Sequence, residues 1–186
     1  IAHLELTSFS ETTNEELIAA LDTVHKFESK GLIIDVRQNV GGLVSATVDA
    51  TSQFLDSGLV FYQIDGDGRR TNYRVREGGV ALNIPLVLLM DEFSASGSEI
   101  LAGALRDHNR ATLVGSKTFG KGSVNIQHAL SDGSGIYYTI ARWYTPLGHV
   151  IEGHGLLPDV EVMVDPEGVE DFQLDKAIKL LTSGDL

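Results

Sequence analysis

The sequence predicts an α/β fold in which a mixed sheet carries packed helices, and three observations support that class. Residues 4–6, 13–27 and 32–36 read as strand, helix and strand at the start of the chain. The pair Gly41-Gly42 then separates the second strand from another helical stretch. Further along, residues 86–90 form a continuous apolar run, which is typical of a central strand covered on both faces.

The individual elements follow from periodicity and turn chemistry. The first helix opens on the capping-box pattern Thr13-Asn14-Glu15-Glu16, and apolar residues recur at helical spacing through Phe27. The later helices are predicted at 43–55, 99–105 and 169–181. The other strands are predicted at 59–64, 72–75, 111–114, 123–130, 136–143 and 156–164, with glycine-rich hairpin turns at 65–68 and 131–135.

Composition limits the classes of protein that this chain can belong to. Its 186 residues carry 14 Lys and Arg against 26 Asp and Glu, a formal net charge of −12, and 42% of them are hydrophobic. This predicts one globular domain over residues 1–186 and excludes nucleic acid, a polyanion, as a partner. The absence of cysteine excludes disulfides, thiolate zinc sites and a cysteine nucleophile. The chain opens at Ile1 without methionine, so we expect a piece of a longer protein.

Two short motifs resemble ligand-binding loops but lack a required residue. Residues 115–121 match most of a P-loop, but Gly122 stands where Ser or Thr would ligate magnesium. Residues 65–68 begin like a calcium loop, but Arg76 stands where the bidentate glutamate belongs. The histidines form no i, i+4 pair beside a glutamate, the arrangement of a helical zinc site. We therefore predict no metal and no nucleotide.

Residues 94–99 contain three serines where a strand turns into a helix. Ser96 there would present its hydroxyl near the helix N-terminus, whose free amides favour a developing oxyanion. It would alternatively be a simple N-cap, with Glu99 completing a capping box. Lys121 lies between two glycines, so it can approach the backbone closely, and a buried, uncharged lysine amine can activate a serine. These residues alone leave both interpretations of Ser96 open.

Five motifs in order resemble those of the carboxyl-terminal processing proteases, peptidase family S41. Residues 35–43 resemble the family's Asp-Leu-Arg-Asn-Asn-Pro-Gly-Gly-Leu motif, and residues 93–100 resemble its Ser-Ala-Ser-Ala-Ser-Glu segment. Residues 114–124 resemble its Gly-Lys-Gly segment, and residues 142–146 and 155–159 fit its later strand motifs. The likeness covers nearly the whole chain.

This resemblance implies a crotonase/ClpP-like α/β core that cleaves peptide bonds near protein C-termini through an acyl-enzyme. It makes Ser96 the nucleophile and Lys121 the general base, with the amides of Gly42 and Gly97 as the oxyanion hole. The resemblance implies no cofactor. It implies that the protein binds the C-terminal segment of a protein or peptide substrate. Family members usually carry a PDZ domain before this core, which this chain lacks, and a homo-oligomer is left open. Such proteases act outside the cytoplasm, in the periplasm, cell envelope or thylakoid lumen.

Three positions depart from the family pattern. Asn125 replaces the glutamine that orients the lysine and is one methylene shorter, Val40 replaces a proline, and Gly97 replaces an alanine. A non-catalytic ligand- or peptide-binding module on the same fold is the alternative function, although such a module would not need Ser96 and Lys121 together. A crotonase-type acyl-CoA enzyme is a further alternative, but the sequence shows no adenine- or pyrophosphate-binding signature.

Overall fold

Strands and helices alternate over residues 2–65, as the opening segments predict, and beyond them helices separate groups of consecutive strands. The computed structural model describes residues 1–184. In chain order its elements are β1 Ala2–Glu5, α1 Thr13–Lys26, β2 Leu32–Asp35, α2 Val44–Ser52, β3 Leu59–Asp65, β4 Arg70–Arg74, β5 Leu86–Met90, α3 Gly97–Asp107, β6 Thr112–Gly115, β7 Ser123–Ala129, β8 Gly135–Tyr144, β9 Val160–Glu161 and α4 Phe172–Ser183.

The strands form two sheets of different type. The first sheet is parallel, with strand order β1-β2-β5-β6-β9, and the second is antiparallel, with order β4-β3-β8-β7. Parallel strands point their carboxyl ends toward one edge of a sheet. The segments that follow β2, β5 and β6 therefore begin at the same edge. They lead to the predicted site residues Gly42, Ser96, Gly97 and Lys121, whereas Asn125 lies on β7 of the second sheet.

The parallel sheet is covered on both faces. Leu88 of β5 belongs to the larger core, which also contains buried residues of α1, α2 and α3, whereas Val87 and Leu89 pack in a second cluster with residues of α4. Alternate residues of a strand point to opposite faces, so both faces of β5 are apolar. This confirms the prediction that residues 86–90 form a central strand, and the α/β fold class is confirmed with it.

Several predicted details were wrong. The predicted strand at 156–164 is limited to Val160–Glu161, and the last helix begins at Phe172 rather than at residue 169. The hydroxyl of Thr13 does not cap α1, because it donates to Ser8 O at 3.2 Å and accepts from Ser10 N at 2.8 Å. Phe27 follows the last helical residue and is 80% exposed, so it does not continue the buried stripe of α1.

An arginine fixes the last helix to the parallel sheet. Arg37, just after β2, bonds to Asp35 at 2.7 Å and to Asp171 at 2.8 Å, and Asp171 is the N-cap of α4. The hydrogen bond from Arg37 holds the pKa of the Asp171 carboxyl below its ordinary value. His3, Glu5 and Asp35 also bring possible metal-ligand atoms together, but the guanidinium of Arg37 already neutralises Asp35.

None of the helices within residues 1–184 combines the length and the apolar character needed to span a bilayer.

Candidate active site

The three serines that follow β5 lie in different environments. Ser94 is buried and donates its hydroxyl to Val36 O at 2.8 Å, and buried Ser98 donates to Asn39 O at 2.8 Å. Their hydroxyls therefore connect backbone segments of the core. Ser96 is only partly buried, so its side chain is the accessible one of the three. Ser96 is the serine that the family resemblance makes the nucleophile, and that role stays a prediction.

Ser96 has an unusual backbone conformation, with φ 53° and ψ −109°. A positive φ is uncommon for a residue with a side chain and costs on the order of 1–3 kcal/mol, so it persists only where neighbouring contacts impose it. Ser96 is also the N-cap residue of α3, and its N–H donates to Glu99 Oε2 at 2.9 Å. The N-cap interpretation of Ser96 does not contradict the nucleophile interpretation, because Ser96 can cap α3 and still be partly accessible.

Lys121 lies in the segment between β6 and β7, and side chains of α3 and β8 fix its backbone from both sides. Its N–H donates to Glu99 Oε2 at 2.9 Å, and its carbonyl accepts from Trp143 Nε1 at 3.1 Å. A Cβ at Gly120 would lie 3.0 Å from Gly155 N, and a Cβ at Gly122 would collide with the backbone of Glu152. Both glycines therefore permit the close backbone approach that the sequence suggested. The Lys121 side chain is partly buried.

The carboxylate of Glu99 joins the serine segment to the lysine segment. Oε2 accepts from the N–H groups of Ser96 and Lys121, each at 2.9 Å, so these two nitrogens lie no more than twice 2.9 Å apart. Oε1 accepts from Thr118 Oγ1 at 2.6 Å and from Gly120 N at 2.7 Å. Burial raises the pKa of the Glu99 carboxyl above its ordinary value, against these four hydrogen bonds, which lower it.

The role of Glu99 was missed from the sequence, which suggested only a helix cap. One signal was present: Glu99 precedes the uncharged stretch 100–105, and in the structure all of residues 97–105 are buried. A charged residue on a helix without a solvent face must find its partners inside the protein.

The glycine pair after β2 lies against the serine segment. A Cβ at Gly41, whose φ is 102°, would lie 2.8 Å from both Ser96 Cβ and Gly97 N, so only glycine fits there. The N–H of Gly41 donates to Asn39 Oδ1 at 2.8 Å. Two hydrogen bonds link this loop to Phe9: the N–H of Phe9 donates to Gly41 O, and the N–H of Leu43 donates to Phe9 O. The N–H of Gly42 takes no part in this bridge.

A second buried carboxylate, also missed from the sequence, connects this glycine loop to the serine segment. Asp91 Oδ1 accepts from Gln38 N and from Ser94 N, both at 3.0 Å, and Oδ2 accepts from Gln38 Nε2 at 2.5 Å. Asp91 is buried at the end of β5. The two loops that contain the predicted oxyanion amides are therefore attached to one acidic side chain.

The amide of Asn125 is hydrogen-bonded within the second sheet. Its Nδ2 donates to Ser123 Oγ at 3.1 Å, and its Oδ1 accepts from Thr139 Oγ1 at 2.7 Å. Asn125 is thus placed on β7, beside β8, by these two contacts. Its part in orienting Lys121 stays a prediction.

Exposed apolar side chains surround the segments of the site. Val40 is 69% exposed, Phe93 49% and Phe119 66%. Phe119 is attached to the serine segment, because its N–H donates to Ser94 O at 3.1 Å. Apolar surface of this kind, beside a candidate nucleophile, is suited to side chains of a bound peptide.

Comparisons with known proteins agree with this arrangement. The model of Peptidase family S41 matches residues 1–162. A carboxyl-terminal-processing protease of Synechocystis sp. is 38% identical over 191 residues, which cover 99% of this chain and 44% of that protein. A chloroplastic carboxyl-terminal-processing peptidase 3 of Arabidopsis thaliana is 39% identical over 160 residues, 86% of this chain and 31% of that protein.

A solved structure is similar as well. The photosystem II D1 C-terminal processing protease superposes with a TM-score of 0.82 at 36% sequence identity, over 96% of this chain and 46% of that one. The chain spans less than half the length of these relatives. Since the family model matches most of the residues, and the serine, lysine and glycine segments meet at one edge of the sheet, the chain belongs to peptidase family S41.

Proposed function

We propose that this protein is a serine endopeptidase that cleaves near the C-terminus of protein substrates through a Ser96/Lys121 dyad. The observation that carries the proposal is the shared acceptor: Glu99 Oε2 binds the N–H groups of both residues, each at 2.9 Å. Two residues far apart in sequence are thereby held as neighbours. A serine at a strand-to-helix turn and a lysine beside it are the nucleophile and base that acyl transfer requires.

In the proposed reaction, the uncharged amine of Lys121 takes the proton of the Ser96 hydroxyl while Ser96 Oγ attacks the scissile carbonyl carbon. The carbonyl oxygen becomes an oxyanion, which accepts hydrogen bonds from the N–H groups of Gly42 and Gly97. Gly97 is the first residue of α3, where no intrahelical acceptor exists for its N–H. The C–N bond then breaks, and the lysine ammonium returns the proton to the leaving amine.

The second half of the reaction regenerates the enzyme. Lys121, uncharged again, takes a proton from a water molecule that attacks the Ser96 ester, and the acid product leaves when the proton returns to Ser96 Oγ. Lys121 as a whole residue is only partly exposed. A bound peptide would cover it further.

The surroundings support an unstructured peptide as substrate. Phe93 and Phe119 offer apolar contacts on the two segments that contain the dyad, and Val40 does so on the glycine loop. The relatives named above process carboxyl termini. We propose that this protein, like its family, acts outside the cytoplasm, and that the parent protein contains a PDZ domain.

Paired substitutions test the dyad. Ser96→Ala and Lys121→Ala should each abolish cleavage of an unstructured peptide with an apolar C-terminus, with thermal unfolding unchanged. A fluorophosphonate probe should label Ser96 in the parent protein and not in Ser96→Ala, whatever the natural substrate is. Ser116→Ala and Lys117→Ala are matched controls from the adjacent segment and should retain cleavage. Cleavage retained in either dyad variant would refute the assignment of the dyad. A parent protein that binds the peptide without cleaving it would instead favour the non-catalytic binding module.

A further inference from the structure

The buried carboxylate of Glu99 has a role beyond capping α3, and this inference rests on the proposed function. We propose that Glu99 is a positioning residue for the reaction: as a carboxylate it fixes Ser96 against Lys121, and the catalytic rate depends on that placement. Each of its oxygens accepts two hydrogen bonds, and the donors come from the serine segment and the lysine segment. The side chain is buried, so water does not replace these bonds.

The directions of the four hydrogen bonds match an ionised side chain. Three of them are backbone N–H groups, of Ser96, Gly120 and Lys121, which can only donate. The fourth is the hydroxyl of Thr118, which donates to Oε1 while its oxygen accepts from Leu156 N at 2.7 Å. A carboxylate can accept all four bonds at once, and a neutral carboxyl or amide cannot.

A glutamine at position 99 has the same shape and fails in either orientation. With its NH₂ group at the Oε2 position, the N–H groups of Ser96 and Lys121 both face a donor. With its NH₂ group at the Oε1 position, the N–H of Gly120 faces a donor, next to the lysine. At least one buried backbone N–H of the dyad segments therefore loses its acceptor, and the segment must move to satisfy it.

The lysine segment depends on these bonds for its position. The neighbours of Lys121 are two glycines, which have no side chains to pack. Its backbone is held by Glu99 at the nitrogen and by Trp143 at the oxygen. A displacement of about 1 Å between reacting groups can cost on the order of 100-fold in rate. Loss of the Glu99 acceptor should thus act mainly on the chemical step, because Val40 and Phe93 of the exposed apolar surface lie outside the displaced lysine segment.

The test compares Glu99→Gln with the parent protein in steady-state cleavage of a peptide. We expect kcat to fall about 100-fold and KM to change less than about threefold, because the loss is in the transition state and not in substrate binding. Glu92→Gln is the matched control, since Glu92 is exposed, accepts one hydrogen bond from Ser116 and should keep full activity. Circular dichroism at the assay temperature verifies that both variants are folded.

A second variant covers the case in which Glu99→Gln does not fold. Thr118→Val removes one of the four donors and keeps the carboxylate, and Thr118→Ser keeps the hydroxyl. Thr118→Val should lower kcat about tenfold more than Thr118→Ser does, with KM similar in the two variants.

The outcomes separate this inference from the proposed function. Full kcat in a folded Glu99→Gln protein overturns the positioning role, and so does a rise in KM with kcat unchanged. Equal kcat in the two Thr118 variants overturns it as well. In each of these cases the dyad still stands if Ser96→Ala is inactive. Activity in Ser96→Ala instead refutes the proposed function itself.

Discussion

Replacing Gly97 with alanine, the residue of the family pattern, should destabilise this protein. A Cβ at Gly97 would lie 2.6 Å from Thr47 Oγ1 and 2.9 Å from Phe9 Cδ2, closer than van der Waals contact allows. Thr47 cannot turn away freely because its hydroxyl donates to Leu43 O at 3.0 Å, and Phe9 is buried. Thr47 and Phe9 occupy the space that a methyl group at position 97 would need.

The expected magnitude follows from two opposing contributions. Overpacking of a well-packed site costs about 1–3 kcal/mol, and alanine gains up to about 1 kcal/mol over glycine in a helix. The net loss, up to about 2 kcal/mol, should lower Tm by up to about 8 °C for a chain of this size. Thermal unfolding followed by circular dichroism measures it. Gly66→Ala is the control, because a Cβ there meets nothing within 4 Å.

A double-mutant cycle shows whether Thr47 is the cause. Thr47→Ala removes the hydroxyl that faces position 97, so the double variant should lose the closest contact of the new methyl, at 2.6 Å, and keep the contact with Phe9 Cδ2 at 2.9 Å. We expect the two changes to be non-additive, with a favourable coupling of about 1 kcal/mol. Strictly additive effects, or a Gly97→Ala protein at least as stable as the parent, would show that the packing argument is wrong.

Two further predictions concern charged groups. Arg37→Met leaves the buried Asp35 carboxylate without its cation, so unfolding at neutral pH should be easier by about 3 kcal/mol. Arg37 lowers the pKa of Asp171, so part of the difference in the free energy of unfolding between Arg37→Met and the parent protein should vanish below about pH 4. Urea unfolding of both proteins at several pH values measures that difference. A difference that does not depend on pH would contradict it. Burial raises the pKa of the Glu99 carboxyl in the folded protein, so ionisation of Glu99 costs stability. The free energy of unfolding of the parent protein should therefore fall, relative to that of Glu99→Gln, as the pH rises from about 4. A free energy of unfolding that rises over the same pH range would contradict the raised pKa.

The fold was predictable because its signals are local. The apolar run at 86–90 and the alternation of strands and helices depend on residues that are neighbours in sequence. Phe27 shows the limit of such signals: it keeps the helical spacing of α1, but the helix ends one residue earlier and its side chain is exposed. Periodicity gives the face of a helix and does not give its last residue.

The candidate site was only half predictable. Ser96 and Lys121 lie in segments whose glycines and serines have a recognisable pattern, so the sequence suggested them. Glu99 and Asp91 were missed because their contacts are with backbone N–H groups of other segments. A backbone donor has no sequence signature, and which donors meet a carboxylate depends on how the strands are ordered in the sheet.

The two buried carboxylates together explain how the strained backbone of Ser96 is kept. Asp91 binds Gln38 on one side and the serine segment on the other, and Glu99 binds the serine segment and the lysine segment. The positive φ of Ser96 costs on the order of 1–3 kcal/mol, which a free loop would release by relaxing. Here both ends of the segment are attached through buried acceptors, so relaxation would break several hydrogen bonds at once. The same bonds that keep the strain therefore bring the segments of the predicted oxyanion amides, the serine and the lysine to one place.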